Sequence, residues 1–253
     1  MWGGCGFTWE FWKMSIRKKI CFIISVPHAK CDEENYPISE THVCDLAAPR
    51  AAAVLSNRLR DVLGRARFPR DVAFEVVGPI YGNVNRMATD LNRMGSRATA
   101  FRKRIIGEIA RRVDAGELVI MLDVHSFDGN APWSEHGASI VFMDEETVKR
   151  RHEPYARESG TSGPVYTEEG KRSPGGFLEE LCDRLERIDG SMRVLISRSP
   201  VNDIVRQAKE VGAKAAVLIE FDEDTVAGKK GAGVFQRVIS DLVNVLIESA
   251  LDK

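Results

Sequence analysis

Leu118-Val119-Ile120-Met121-Leu122 is apolar at every position and breaks at once into Asp123-Val124-His125-Ser126. A short run without polar alternation predicts a strand covered on both faces, as in the interior of a parallel sheet. Two other runs have the same form. Ile20 to Val26 stops at Pro27-His28, and Ala215 to Ile219 passes directly into Glu220-Phe221-Asp222. Open α/β sheets place their ligands at the C-terminal ends of the strands. His28, His125 and Glu220 therefore stand where neighbouring parallel strands can bring polar groups together.

The segments between these strands carry a helical period. Phe101, Ile105, Ile109 and Val113 recur every four residues within Ala98 to Ala115, with Arg and Lys between them. Helices are also predicted for Asp45 to Gly64, Phe177 to Ile188, Asp203 to Val211 and Gly233 to Leu251. In the first of these, Asp45 is read as an N-cap. Further strands are predicted at Val72 to Val77, Ala138 to Met143 and Arg193 to Ser197. Gly78 to Gly82 reads as a turn-rich connection, and Lys149 to Pro174 as a long loop. Helix and strand alternate, which predicts an α/β fold: a mainly parallel sheet with helices on its faces.

Composition narrows the functional classes. The formal net charge of −1 over 253 residues gives no basic field for nucleic acid. No apolar run approaches the roughly 20 residues that span a bilayer. Cys5, Cys21, Cys31, Cys44 and Cys182 are an odd number without a CxxC pair. That pattern fits neither a disulfide framework nor a thiolate zinc knuckle, and a reducing, cytoplasmic setting is expected. Residues 1–13, rich in Trp and Phe, are expected to lie outside the core, leaving 14–253 as one domain. His42, His136 and His152 fall in polar segments and read as loop histidines. Cys182 reads as core.

Two strand-end histidines and a glutamate suit a particular chemistry. A hydrolytic zinc site needs about three nitrogen or oxygen ligands, an open position, a base and a group to hold substrate. The stretch Asn85-Arg86-Met87-Ala88-Thr89-Asp90-Leu91-Asn92-Arg93 offers the last of these, because a guanidinium grips a carboxylate at two points. Taken alone, the same stretch also reads as a solvated charged turn.

Pro27-His28, the Arg86-x-x-x-Asp90-x-Asn92-Arg93 stretch, Asp123-x-His125-Ser126 and Ile219-Glu220-Phe221 occur in an order that resembles the N-formylglutamate amidohydrolase family, over about residues 20 to 250. The resemblance implies a three-layer α/β sandwich with a mainly parallel mixed sheet, like that of the zinc carboxypeptidases (phosphorylase/hydrolase-like). It implies one Zn2+ per chain on His28 and His125, with Asp45 as third ligand and Cys31 or Glu34 as alternatives. Asn92 and Arg93 would bind the substrate carboxylate, and Arg86 would bind substrate or polarise the scissile carbonyl. Glu220 would serve as general base, Asp123 would orient His125, and Asp90 would position Arg86 or Arg93. The implied activity is hydrolysis of a small N-acyl amino acid of the N-formylglutamate type. A peptidase acting on a terminal residue and a silent binding protein on the same scaffold are the alternatives. Oligomeric state is not legible. The chain departs from the family at Ala29-Lys30, where a small residue and glycine are usual. Cys31 stands where carboxypeptidases and aspartoacylases place a glutamate ligand.

Overall fold

The computed structural model describes residues 18–30, 45–69, 71–86, 88–129, 131, 140–144, 185, 194–196, 203–231 and 233–251. Residues 1–17, Cys31, Glu34, His42, Cys44, His136, the predicted loop at 149–174, His152 and Cys182 lie outside them. The described elements are β1 (Lys18–Val26), α1 (Ala48–Arg65), β2 (Val72–Tyr81), α2 (Ala100–Asp114), β3 (Leu118–Phe127), β4 (Ile140–Asp144), β5 (Val194–Ile196), α3 (Asp203–Glu210), β6 (Ala215–Asp222), α4 (Glu223–Val226) and α5 (Val234–Leu251). Of the predicted helix at 177–188, Leu185 is described, helical and buried.

Among the described residues, six strands form one sheet in the order β2-β1-β3-β6-β4-β5. β1 pairs in parallel with β2 and β3, and β3 in parallel with β6. β4 runs antiparallel to β6 and parallel to β5. The sheet is therefore mixed and mainly parallel. Its two faces follow from the strand period of two. Ile20, Phe22 and Ile24 of β1 with Ile120, Leu122 and Val124 of β3 pack with Leu55 and Leu59 of α1 and Leu242 and Leu246 of α5. Cys21 and Ile23 with Val119 and Met121 pack with Ile105 and Ile109 of α2 and Ile204 of α3. Helices on both faces make a three-layer sandwich. They also explain why the central strands lack polar alternation. Among the described residues, no helix is long and apolar enough to cross a membrane.

The structure moves two predicted boundaries, and both moves bear on the site. α1 begins at Ala48 and not at Asp45. Its N-cap is Ala47, which makes no side-chain cap bond, and proline stands in the first turn. A proline there loses no helical hydrogen bond. Asp45 contributes its backbone carbonyl to Ala48 N (3.3 Å), so its carboxylate is available elsewhere.

The second change is at Gly78 to Gly82. The predicted connection is in fact the second half of β2, entered through a bulge: Ile23 pairs with Val77, but Ser25 pairs with Ile80. Gly78 has φ 97°, and a Cβ there would collide with the Ile24 carbonyl. Gly82 N then donates to Val26 O (2.8 Å). A Cβ on Gly82 would collide with the Pro27 carbonyl. This close approach brings the Asn85–Arg93 stretch against Pro27-His28.

Candidate metal centre

His28 follows β1, and His125 lies near the end of β3, the strand beside it. The parallel register that pairs Ser25 with Asp123 sets the two imidazoles together, ring centroids 4.8 Å apart and nearly perpendicular. Asp45, arriving from the chain before α1, completes a group. One ligand atom from each of His28, Asp45 and His125 lies within 4.8 Å of the others, and all three residues are buried.

The atoms that converge are specific. His28 Nδ1 lies 3.1 Å and His125 Nδ1 2.6 Å from the same oxygen, Asp45 Oδ2. Each second nitrogen meets another carboxylate: His28 Nε2 lies 2.9 Å from Asp90 Oδ1, and His125 Nε2 lies 3.0 Å from Asp123 Oδ2. A carboxylate behind Nε2 favours the tautomer in which Nε2 carries the hydrogen and Nδ1 a lone pair. Two lone pairs then face a carboxylate oxygen, an arrangement that needs a cation among them. A proton meets that need in part and a metal ion in full. Two imidazole nitrogens and one carboxylate oxygen are a donor set that zinc accepts. Neighbouring ligands around tetrahedral zinc, with bonds of about 2.0–2.1 Å, stand about 3.4 Å apart. The residues present thus fit such an ion.

Electrostatics agree with the geometry. Burial opposes charge on His125, yet the carboxylates of Asp123 and Asp45 outweigh it and hold the imidazole well above its usual range. Burial also opposes charge on Asp45, and His28, Arg86 and His125 outweigh it, so this carboxyl stays far below the carboxylate range. Asp90 is held low against burial in the same way, by His28, Arg86 and the Asn92 amide. Glu220 behaves oppositely. It pairs in register with His125 on the next strand. Burial pushes its carboxyl up to about 8, partly relieved by His125 and reinforced by Asp45. A carboxyl that exchanges its proton near neutrality suits a general acid–base role.

The Asn85–Arg93 stretch is no solvated turn. Arg86 Nη1 donates to Asp45 Oδ1 (2.6 Å), and Arg93 Nε donates to Asp90 Oδ2 (3.0 Å). Asp90 therefore joins His28 to Arg93. Asn92 is buried, with its amide nitrogen 3.4 Å from His125 Nε2. All seven residues singled out for ligands, substrate and acid–base chemistry (His28, Asp45, Arg86, Asn92, Arg93, His125 and Glu220) meet in this region.

Several contributors are not evident from the sequence. Ser25 Oγ donates to Asp123 Oδ1 in a short bond, fixing the carboxylate behind His125. Its signal is weak: one serine inside the apolar run of β1. Ser126 Oγ donates to Glu223 Oε1 (2.8 Å) and accepts from Ala47 N (3.2 Å). That hydroxyl fastens the Asp45 segment to the end of β3. Glu223 opens α4, a helix not predicted from the sequence, whose N-cap Asp222 accepts from Thr225 N at 2.6 Å.

No protein-family model and no curated protein matches the chain. Several solved structures are similar. A gene product of Agrobacterium tumefaciens aligns at 14% identity over 93% of this chain and 87% of that one, with a TM-score of 0.46. Murine aminoacylase 3 aligns at 16% identity over 93% of this chain and 65% of that one, TM-score 0.42, so this chain spans just under two thirds of its length. N-formylglutamate amidohydrolase from Ralstonia eutropha JMP134 aligns at 13% identity over 94% of both chains, with a TM-score of 0.41. At these scores the chemistry of this chain rests on its own side chains.

Proposed function

We propose that the chain is a zinc-dependent hydrolase that cleaves the amide bond of a small N-acyl amino acid of the N-formylglutamate type. The observation that carries this reading is the convergence of His28 Nδ1 and His125 Nδ1 on Asp45 Oδ2, with a carboxylate behind each imidazole. A zinc ion on these three residues would supply a Lewis acid for the acyl oxygen and lower the pKa of water.

The remaining roles belong to the protein. Glu220, beside His125, takes a proton from the attacking water and passes it to the departing amine nitrogen, so that acid and amine leave with protons balanced. Burial, which raises its carboxyl, makes the return of that proton easy. Arg86 holds Asp45 through Nη1 and stands to polarise the scissile carbonyl as negative charge develops there. Asn92 and Arg93 hold the substrate carboxylate, with Asp90 fixing Arg93 from behind. The order of motifs, which resembles the N-formylglutamate amidohydrolase family, favours an acidic substrate of that type.

The test is release of free amino acid from N-formyl-L-glutamate and from N-acetyl-L-glutamate by zinc-loaded protein. Hydrolysis of at least one, lost on Asp45→Asn, is expected. A folded, zinc-loaded wild type that cleaves no N-acyl amino acid in a broad panel would overturn the reading.

A further inference from the structure

Arg102 is a whole guanidinium with no exposure, seated on the first turn of α2. Such a group is tolerated inside a protein only when its donors are matched. The match here is to the stretch that carries Asn92 and Arg93. Arg102 Nη1 donates to Leu91 O (3.0 Å), Arg93 O (3.4 Å) and Ser96 Oγ (3.3 Å). Its Nη2 donates to Asp203 Oδ2 (2.9 Å) and Gln207 Oε1 (2.6 Å), and Nε to the same Gln207 oxygen (3.1 Å). Ser96 Oγ lies 2.8 Å from Leu91 O and 2.7 Å from Arg93 O, the same two carbonyls.

These bonds bracket Asn92 on both sides, and α3 holds Asn92 itself. Asp203 N donates to Asn92 O (3.1 Å), and Ile204 N donates to Asn92 Oδ1 (3.4 Å). With Oδ1 engaged by a backbone N–H, Nδ2 is the end of the amide turned toward His125. Residues 88–93 belong to no strand or helix, so no ladder fixes their carbonyls. The buried guanidinium holds Leu91 O, and at Arg93 O it joins the Ser96 backbone N–H (3.0 Å). Asp203 is kept in place by Arg97 as well, through a two-point grip at 2.7 and 2.8 Å.

We propose that Arg102 is a positioning residue: through the Leu91 and Arg93 carbonyls it sets the pose of Asn92 and Arg93, and with it the recognition of the substrate carboxylate. The substrate half of this statement rests on the function proposed above; the positioning half does not. A lysine would keep the charge against Asp203 but lack the planar fork that reaches two carbonyls and Gln207 together.

The experiment compares Arg102→Lys with Arg112→Lys, the same change at a second buried arginine at the other end of α2, and with the milder Ser96→Ala. Hydrogen exchange across residues 91–97 is read first, without reference to activity. Arg102→Lys should speed it about tenfold and Ser96→Ala by about threefold, with Arg112→Lys leaving it unchanged. Zinc content should stay at the wild-type level in all three. For N-formyl-L-glutamate, KM should rise about tenfold in Arg102→Lys while kcat changes less than threefold. Unchanged exchange at 91–97 in both Arg102→Lys and Ser96→Ala would overturn the proposal, as would faster exchange without any change in KM. If Arg102→Lys does not fold, Ser96→Ala decides alone. If the wild type hydrolyses no N-acyl amino acid, the functional reading fails while the exchange result still decides whether Arg102 positions the segment.

Discussion

Two clusters of charge sit at opposite ends of the sheet, and they are built on different principles. At the N-terminal ends of the strands, Arg112 is nearly buried and shared among Glu75, Glu108 and Glu117, with Nη1 at 2.8 Å from Glu75 and from Glu117. Lys19 joins Glu117 at 2.8 Å and Glu75 at 3.0 Å, and Arg111 pairs with Glu108 at 2.7 Å. Three cations meet three carboxylates. At the C-terminal ends, Asp45, Asp90 and Asp123 surround two imidazoles, with Arg86 on Asp45 and Arg93 on Asp90. A network that closes on itself holds the fold together. One whose imidazole nitrogens converge on a single carboxylate oxygen offers a donor set that a metal ion accepts.

The largest effect that separates the two ends is on rate. Glu220→Gln should keep the fold and the metal and lose about 10²–10⁴ in kcat. A variant with wild-type turnover would remove Glu220 from the chemistry. Next in size, Arg112→Ala should lower unfolding free energy by about 3 kcal/mol, because three carboxylates lose their bonds to one guanidinium while Glu117 keeps Lys19. Metal content should not change, and denaturant titration beside elemental analysis reads both. Loss of metal in that variant would show that the two ends are not independent.

Metal removal gives a smaller shift. Zinc at about 100 times its Kd should stabilise the folded state by about 2.7 kcal/mol. A chelator should therefore lower Tm in the wild type and leave His28→Ala unaffected; equal shifts in both would place the metal elsewhere. Smallest is the acid response of the closed end. Glu75 is held down to about 2, chiefly by its bond to Arg112, against an ordinary value near 4.5. A depressed carboxyl contributes stability that is full above its unfolded pKa and is lost as pH falls through the folded one. Glu75 is substantially exposed, so solvent weakens the effect. The denaturation midpoint of wild type should fall between pH 4.5 and 2 more steeply than that of Glu75→Gln, and parallel curves would contradict the pairing.

The same contrast explains what the sequence could disclose. β1, β3 and β6 are legible because burial on both faces demands a nearly unbroken apolar run, and a histidine or glutamate that ends such a run stands out. Asp45 was placed among the ligands, but with a helix boundary three residues early, because an acidic residue before a helix looks the same whether it caps or not. The β2 bulge was hidden because Gly78 is required by the carbonyl of Ile24, more than fifty residues away in the chain. Arg102 was hidden more thoroughly. It stands in Phe101-Arg102-Lys103-Arg104, where a fully buried guanidinium and a solvated one are written with the same letter. Its partners, Asp203 and Gln207, come from a helix a hundred residues later.

The central claim is that the C-terminal end of the sheet holds a metal ion on His28, Asp45 and His125. Elemental analysis of the wild-type protein beside His28→Ala and His125→Ala tests it most directly. The account predicts close to one zinc per chain in the wild type, lost in both variants while each remains folded by circular dichroism. A folded wild type without metal after zinc is supplied, or variants that retain it in full, would contradict it.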